Sequence, residues 1–243
     1  MENNNKFLMF LNSRIFVGLG IVVAALVGAY AFYQVRSLDN TLTVTGSATK
    51  QVTSDNVKWV GVINRVTKAS TLKTGYADMA KDIVFVKEFL KEKNIPENQI
   101  VISPIFMDQN YDQNQNVEKS YTLRQTIDIN STDVNSIAEI SKNVQPLIDK
   151  GVIFSTQSLE FTYSKLPEER VAMLGDAIKD AKARASKLAE SSGKVVGQLK
   201  SASSGVVQVL SANSTDVSDY GSYDTSKVEK TIMITVKTSF TLK

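Results

Sequence analysis

The chain has 243 residues, 28 of them lysine or arginine and 25 aspartate or glutamate, for a formal net charge of +3. Cysteine and histidine are both absent, which removes Cys-His and Ser-His-Asp catalysis, the usual zinc sites, haem ligation by histidine and thiol redox chemistry. So even a charge balance lacks the basic excess of a nucleic-acid binder, and no nucleic-acid partner is expected.

Residues 15–35, IFVGLGIVVAALVGAYAFYQV, carry no charge between Arg14 and Arg36. At about 1.5 Å per residue, a helix of that length covers the roughly 30 Å of hydrocarbon in a bilayer, so it is expected to act as a transmembrane signal anchor. Lys6 and Arg14 precede it, whereas Arg36 is soon followed by Asp39. The positive-inside bias therefore puts residues 1–14 in the cytoplasm and everything after a short tether at 36–40 on the extracytoplasmic or periplasmic side of a single-pass cytoplasmic membrane protein. Tyr30, Phe32 and Tyr33 crowd the exit end, where amphipathic rings favour the headgroup layer. The competing account is a signal peptide cleaved near Ala31, since Ala29-Tyr30-Ala31 has the small-x-small form of a cleavage site. Both accounts export the rest of the chain. Gly20, Ala24 and Gly28 recur every four residues and form a candidate helix-pairing face.

From residue 41 the sequence predicts one large domain, 41–243, or two intimately packed small ones, with no internal linker. Two β-type runs flank the turn at 53–56, and in the second Val57, Trp59, Gly61 and Ile63 mark a central strand with Trp59 in the core. A helix is expected over 70–93, its stripe made by Leu72, Tyr76, Met79, Ile83, Val86 and Leu90 and its end set by Asn94 and Pro96. Residues 100–107 read as a single apolar β-run, followed by a solvated connection at 108–119. Tyr121, Leu123, Ile127 and Ile129 alternate with polar neighbours, as in a strand with one wet face.

Thr132 or Asp133 suits the cap of a second helix that ends at Gly151 and is kinked or shortened by Pro146. Leu159, Phe161 and Tyr163 mark another strand. A third helix starts at Pro167 and ends before Gly193, with Ala177, Ala181 and Ala185 slimming its buried side. After strands at 195–210 comes a polar tract, 211–227, too long for a simple hairpin turn. The alternation of Ile232, Ile234, Val236, Phe240 and Leu242 predicts a terminal strand tied into the sheet. The order β-β-α-β-β-α-β-α-β-β gives an α+β fold class: a largely antiparallel sheet packed by about three helices, preceded by one N-terminal transmembrane helix.

No cofactor or metal site is indicated. Asp108 and Asp112 lie among asparagines but lack the glycine turn and closing glutamate of an EF-hand loop. Ser164-Lys165, Ser186-Lys187 and Ser226-Lys227 are adjacent serine-lysine pairs, but neighbours in sequence point in different directions on helices and strands. Glu168 and Glu169, just after Pro167, match the preference for negative charge at a helix start. Tyr111, Tyr220 and Tyr223 sit on the two polar loops and are the candidate interface residues.

The stretch AIKDAKARASKLAESSGKVVGQL, with Ala177, Ala181, Ala185, Leu188, Ala189, Gly193 and Gly197, resembles the SIMPL domain family, the bacterial YggE-like proteins of unknown biochemical function. VTGSATKQV with Gly46 and Ala48, the Asp55 turn, NIPENQI and Tyr121 add to the likeness, which covers essentially all of the exported part. The family usually has a proline before that turn aspartate, where Ser54 stands here. The resemblance implies an exported, self-associating α+β domain in a family sometimes linked to oxidative-stress resistance, and it supplies no catalytic residues. With no histidine or cysteine, any such link here is indirect. The expected function is a non-enzymatic, membrane-anchored structural or interaction module of the cell envelope that forms a homo-oligomer. The alternative is an envelope binding protein for a small ligand that uses the 211–227 loop.

Overall fold

A computed structural model describes residues 2–37, 40–111, 118–212, 214 and 218–243, with side chains from residue 17 onward except those of 36 and 37. An N-terminal helix, α1 (Glu2–Ser37), contains an apolar stretch, Val17–Val35, long enough to cross a membrane. Its side chains are exposed along that stretch. A Cβ built on Gly20 or Gly28 would meet no atom within 4 Å, so the small-residue face is open.

The remaining elements are β1 (Thr41–Thr53), β2 (Asn56–Lys68), α2 (Leu72–Glu92), β3 (Ile100–Ile102), β4 (Phe106–Asn110), β5 (Ser120–Ser131), α3 (Val134–Lys142), α4 (Gln145–Asp149), β6 (Phe154–Thr162), α5 (Leu166–Glu190), β7 (Val196–Ser211), β8 (Ser222–Tyr223) and β9 (Glu229–Leu242). The fold is α+β with mostly antiparallel sheets, as the pattern predicts. One sheet has the order β1-β9-β7-β8, and the other the order β3-β5-β2-β6 with β4 also on β5. The terminal strand β9 thus lies between β1 and β7.

Three local expectations need correction. The run at 100–107 is two strands, because Pro104 has no N–H for the ladder and the chain breaks at 103–105. The single helix expected to end at Gly151 is two, α3 and α4, with Pro146 in the first turn of α4, where its missing donor costs nothing. Four α-helices therefore follow α1 among the described residues. The tract at 211–227 also contains a short strand, β8, which pairs parallel with β7 through Gln208↔Ser222 and Val209↔Tyr223.

The chain divides into two compact units. The first comprises Met1–Ala48, Leu174–Gly205 and Thr235–Lys243. Here the alanine face of α5 lets a strand come very close. Ala181 and Ala185 are fully buried with Phe240, and Leu42, Val44 and Val196 pack against them. Asp180 accepts a 2.8 Å hydrogen bond from the Ser47 N–H, and Arg184 Nε donates to the same carboxylate at 2.8 Å. Past α5, Gly193 takes φ 69°, and the Lys194 N–H turns back to the Ala189 carbonyl at 2.9 Å, closing the helix end.

The second unit comprises Thr49–Met173 and Val206–Ile234. The register Trp59↔Ile129, Gly61↔Ile127 and Arg65↔Leu123 puts the odd-numbered residues of β2 and β5 on one face. Trp59, Ile63, Leu123, Ile127 and Ile129 from that face form one core with Met79, Val86, Phe89 and Leu90 of α2 and Ile137 of α3. The Trp59 indole N–H donates to the Thr156 hydroxyl at 3.0 Å, so the ring is buried without an orphan donor. Asp82 of α2, 1% exposed, is held by Arg65 of β2 through Nε to Oδ2 and at 2.7 Å to Oδ1. The same guanidinium donates to the Gly151 carbonyl at 3.2 Å, so one ion pair, buried on its Asp82 side, orients α2 on the sheet and ties down the chain just past α4.

Candidate functional site

Among the described residues of the second unit, a polar cluster forms a corner between the β1–β2 turn, the β6–α5 connection and the segment leading into β9. Asp55 closes the turn and accepts two hydrogen bonds from Ser164, from its N–H to Oδ1 and from its hydroxyl to Oδ2, both at 2.7 Å. Burial pushes the Asp55 carboxyl up, but the hydroxyl and N–H of Ser164 more than offset it and hold it below the ordinary carboxylate value. Nearby, Lys50 of β1 donates to both oxygens of Glu169, in the first turn of α5, at 2.7 and 2.6 Å. That hydrogen bond, against the opposing effect of burial, raises the Lys50 amine above its ordinary value. The Tyr163 hydroxyl reaches the same carboxylate at 3.4 Å, and burial together with the Glu169 charge pushes its ionisation up.

The third wall comes from 222–230. The Tyr163 N–H donates to the Tyr223 hydroxyl at 2.8 Å, the Phe161 N–H to the Thr225 carbonyl at 2.8 Å and the Ser54 N–H to the Val228 carbonyl at 2.9 Å. Lys230 is only 1% exposed. Its amine donates to the carbonyls of Asp224 and, at 2.8 Å, Lys227, and it stands 5.6 Å from the centre of the Tyr223 ring. Burial pulls its ionisation down, partly opposed by the charge of Asp224. Asp224 is held below its ordinary value, first by the Ser226 N–H and, against burial, by the Ser226 hydroxyl.

Chemically, this corner is a lock. Asp55 and Asp224 are stabilised in the ionised form, which makes them weak bases, and Ser164 and Ser226 give their hydroxyls to these carboxylates rather than to the adjacent Lys165 and Lys227. Lys187, the third neighbour, reaches Glu190 at 3.1 Å. Asp108 faces Arg124 at 3.4 Å, and Asp112 lies outside the described residues.

Of the three tyrosines singled out from the sequence, Tyr223 enters the corner and is 38% exposed, whereas Tyr111 and Tyr220 stand apart at 95% exposure each. Gly20, Ala24 and Gly28 remain on the open helix. The described part of the 211–227 loop is tied down at Ser218 and Asp224. Gln208 brackets Ser218, and the Asp224 N–H donates to the Val209 carbonyl at 2.8 Å. The sequence alone assigns no functional role to Lys50, Tyr163, Asp224 or Lys230. Lys230 did leave a signal, since it falls in phase with the buried Ile232, Ile234 and Val236 of β9.

The sequence profile of the SIMPL family, described as a protein of unknown function (DUF541), matches residues 42–240. No curated protein matches the chain.

Proposed function

The chain belongs to the SIMPL family, and from that premise we propose that it is a non-enzymatic, membrane-tethered module of the cell envelope that works by associating with copies of itself. The observation that carries this reading is the helix Val17–Val35, apolar, of bilayer length and exposed throughout, joined to a folded α+β domain. A helix with that surface is stable in lipid, where its backbone groups are satisfied internally. The open face at Gly20 and Gly28 and the bare rings of Tyr111 and Tyr220 support self-association, because close-packed small residues and exposed tyrosines are what helix pairs and contact surfaces use. The lack of cysteine and histidine, and the locked carboxylates of the polar corner, favour a scaffold over a catalyst.

Two measurements test this. Light scattering of the full chain in detergent is expected to give a defined multimer that Gly20→Leu with Gly28→Leu weakens, and a strictly monomeric chain overturns self-association. Since the chain has no native cysteine, Lys243→Cys reports its side of the membrane cleanly. Labelling by an impermeant maleimide on the outer face of the membrane is expected, and labelling only after the inner membrane is breached reverses the orientation.

A further inference from the structure

The second unit carries a groove of about 650 Å³ between the outward face of α2 and the segment 94–102. It exists because α2 stops abruptly. Asn94 takes φ 60°, the Ile95 N–H returns to the Leu90 carbonyl at 3.0 Å, and Pro96 carries the chain away before β3 joins the sheet edge. Val84, Ile95, Ile100 and Ile102 make the groove apolar. Val84 is half exposed and contributes nothing to the core, an unusual use of an apolar residue on a helix whose other outward positions are largely charged.

The rim carries charge in a particular arrangement. Lys87 and Lys91 stand one turn apart on the α2 wall, and among the described residues neither amine has an ion-pair or hydrogen-bond partner. Glu88, between them in sequence, is turned to Lys150 at 3.6 Å. Glu97 lies on the opposite wall. The α2 wall therefore presents two cations without an ion-pair partner, faced across the groove by Glu97, with an apolar trough beneath them, so an anionic head is taken on the α2 side and a single greasy chain below it. An extended peptide fits less well. It would pair with the open edge of β3, but that strand is three residues long, the Ile100 N–H is already given to Glu97, and Pro104 follows closely. An acyl chain needs no backbone partner.

We propose that this groove binds a long-chain fatty acid, its acyl chain along Val84, Ile95, Ile100 and Ile102 and its carboxylate held by Lys87 and Lys91. This is independent of whether copies associate. The test uses the full chain in phosphatidylcholine nanodiscs, cross-linked by light to a diazirine-bearing palmitate and mapped by peptide mass. Label is expected on peptides bearing residues 84–102 and is displaced by palmitate. Shorter acids should compete more weakly, by on the order of two- to four-fold per methylene removed. Lys87→Glu with Lys91→Glu, and separately Val84→Asp, should cut labelling at least about ten-fold while lowering the thermal midpoint by no more than about 5 °C, since all three positions are exposed and only the last-turn charge of α2 is lost. Label confined to α1, label that survives the charge reversal, or equal competition by hexadecanol would overturn the assignment. So would loss of label with rising protein density in the disc together with a chain-to-chain cross-link here, which would make the groove a contact between copies.

Discussion

Gly46→Ala tests the closest approach in the first unit. A Cβ at residue 46 would stand 2.2 Å from the Ala177 carbonyl oxygen, 2.4 Å from the Ala181 nitrogen and 2.6 Å from the Ala181 Cβ. Ordinary contacts sit near 3.5 Å, so strand and helix must part by on the order of 1 Å. Two of the three obstacles are backbone atoms, which no rotamer change can clear. Separation would loosen Ala181 and Ala185 from Leu42, Val44 and Phe240 and stretch the bond from the Ser47 N–H to Asp180. Overpacking costs about 1–3 kcal/mol where side chains can yield, so the upper end, about 3 kcal/mol, is expected here. For a chain of this size that lowers the thermal midpoint by about 10 °C. Urea and thermal unfolding followed by circular dichroism would measure it. A Gly46→Ala protein within about 0.5 kcal/mol of the parent would refute the close approach. Adding Ala181→Gly should recover only part of the loss, because it removes one contact of three and a glycine inside a helix itself costs about 1 kcal/mol.

Arg65→Met leaves the buried Asp82 carboxylate without its partner and is expected to cost about 3–5 kcal/mol in urea unfolding, with much of it regained in Arg65→Met/Asp82→Leu. Ser54→Ala should be neutral or stabilising by up to about 1 kcal/mol, since the hydroxyl is buried with no partner among the described residues. Ser54→Pro should instead cost about 1 kcal/mol, because it removes the N–H that donates to Val228, and faster amide exchange around Val228 would accompany it. Asp55, Asp180 and Asp224 all have folded pKa values below their ordinary one. Their contribution is therefore complete above the unfolded carboxylate pKa near 3.9 and is lost as pH falls through the lower folded values. Equilibrium unfolding should show stability flat above about pH 5 and falling below pH 4, and Asp55→Asn should flatten that fall.

Periodicity made the long elements legible. The apolar run of α1, the alanine face of α5 and the alternation of β9 are each long enough for one period to dominate. The break after Ile102 was hidden because Ile100, Ile102, Ile105 and Phe106 read as one apolar run, and only Pro104 marks the interruption. β8 was invisible because two polar-flanked residues carry no period. The polar corner was out of reach for a different reason. Asp55 and Ser164 are 109 residues apart and Lys50 and Glu169 are 119 apart, and each acidic residue already had a sufficient local explanation as a turn or helix-start residue. Glu169 does serve the start of α5, and the sequence gives no sign that it also receives Lys50.

The corner also bears on where a partner could act. Burying an amine is costly unless it is hydrogen-bonded, and Lys230 spends its donors on the two loop carbonyls of Asp224 and Lys227. The segment so held closes part of the outer side of β6, the last strand of its sheet, through Phe161 and Tyr163. An edge with its N–H groups taken is a poor template for adding another strand. Contacts through β6 are therefore disfavoured near this corner. The surfaces that keep unspent capacity are elsewhere: the open face of α1, the bare rings of Tyr111 and Tyr220, and the trough beneath Lys87 and Lys91. If instead Lys230→Met leaves the amide exchange of residues 222–228 unchanged, the segment is held without the buried amine, and the role given to Lys230 in closing this edge falls.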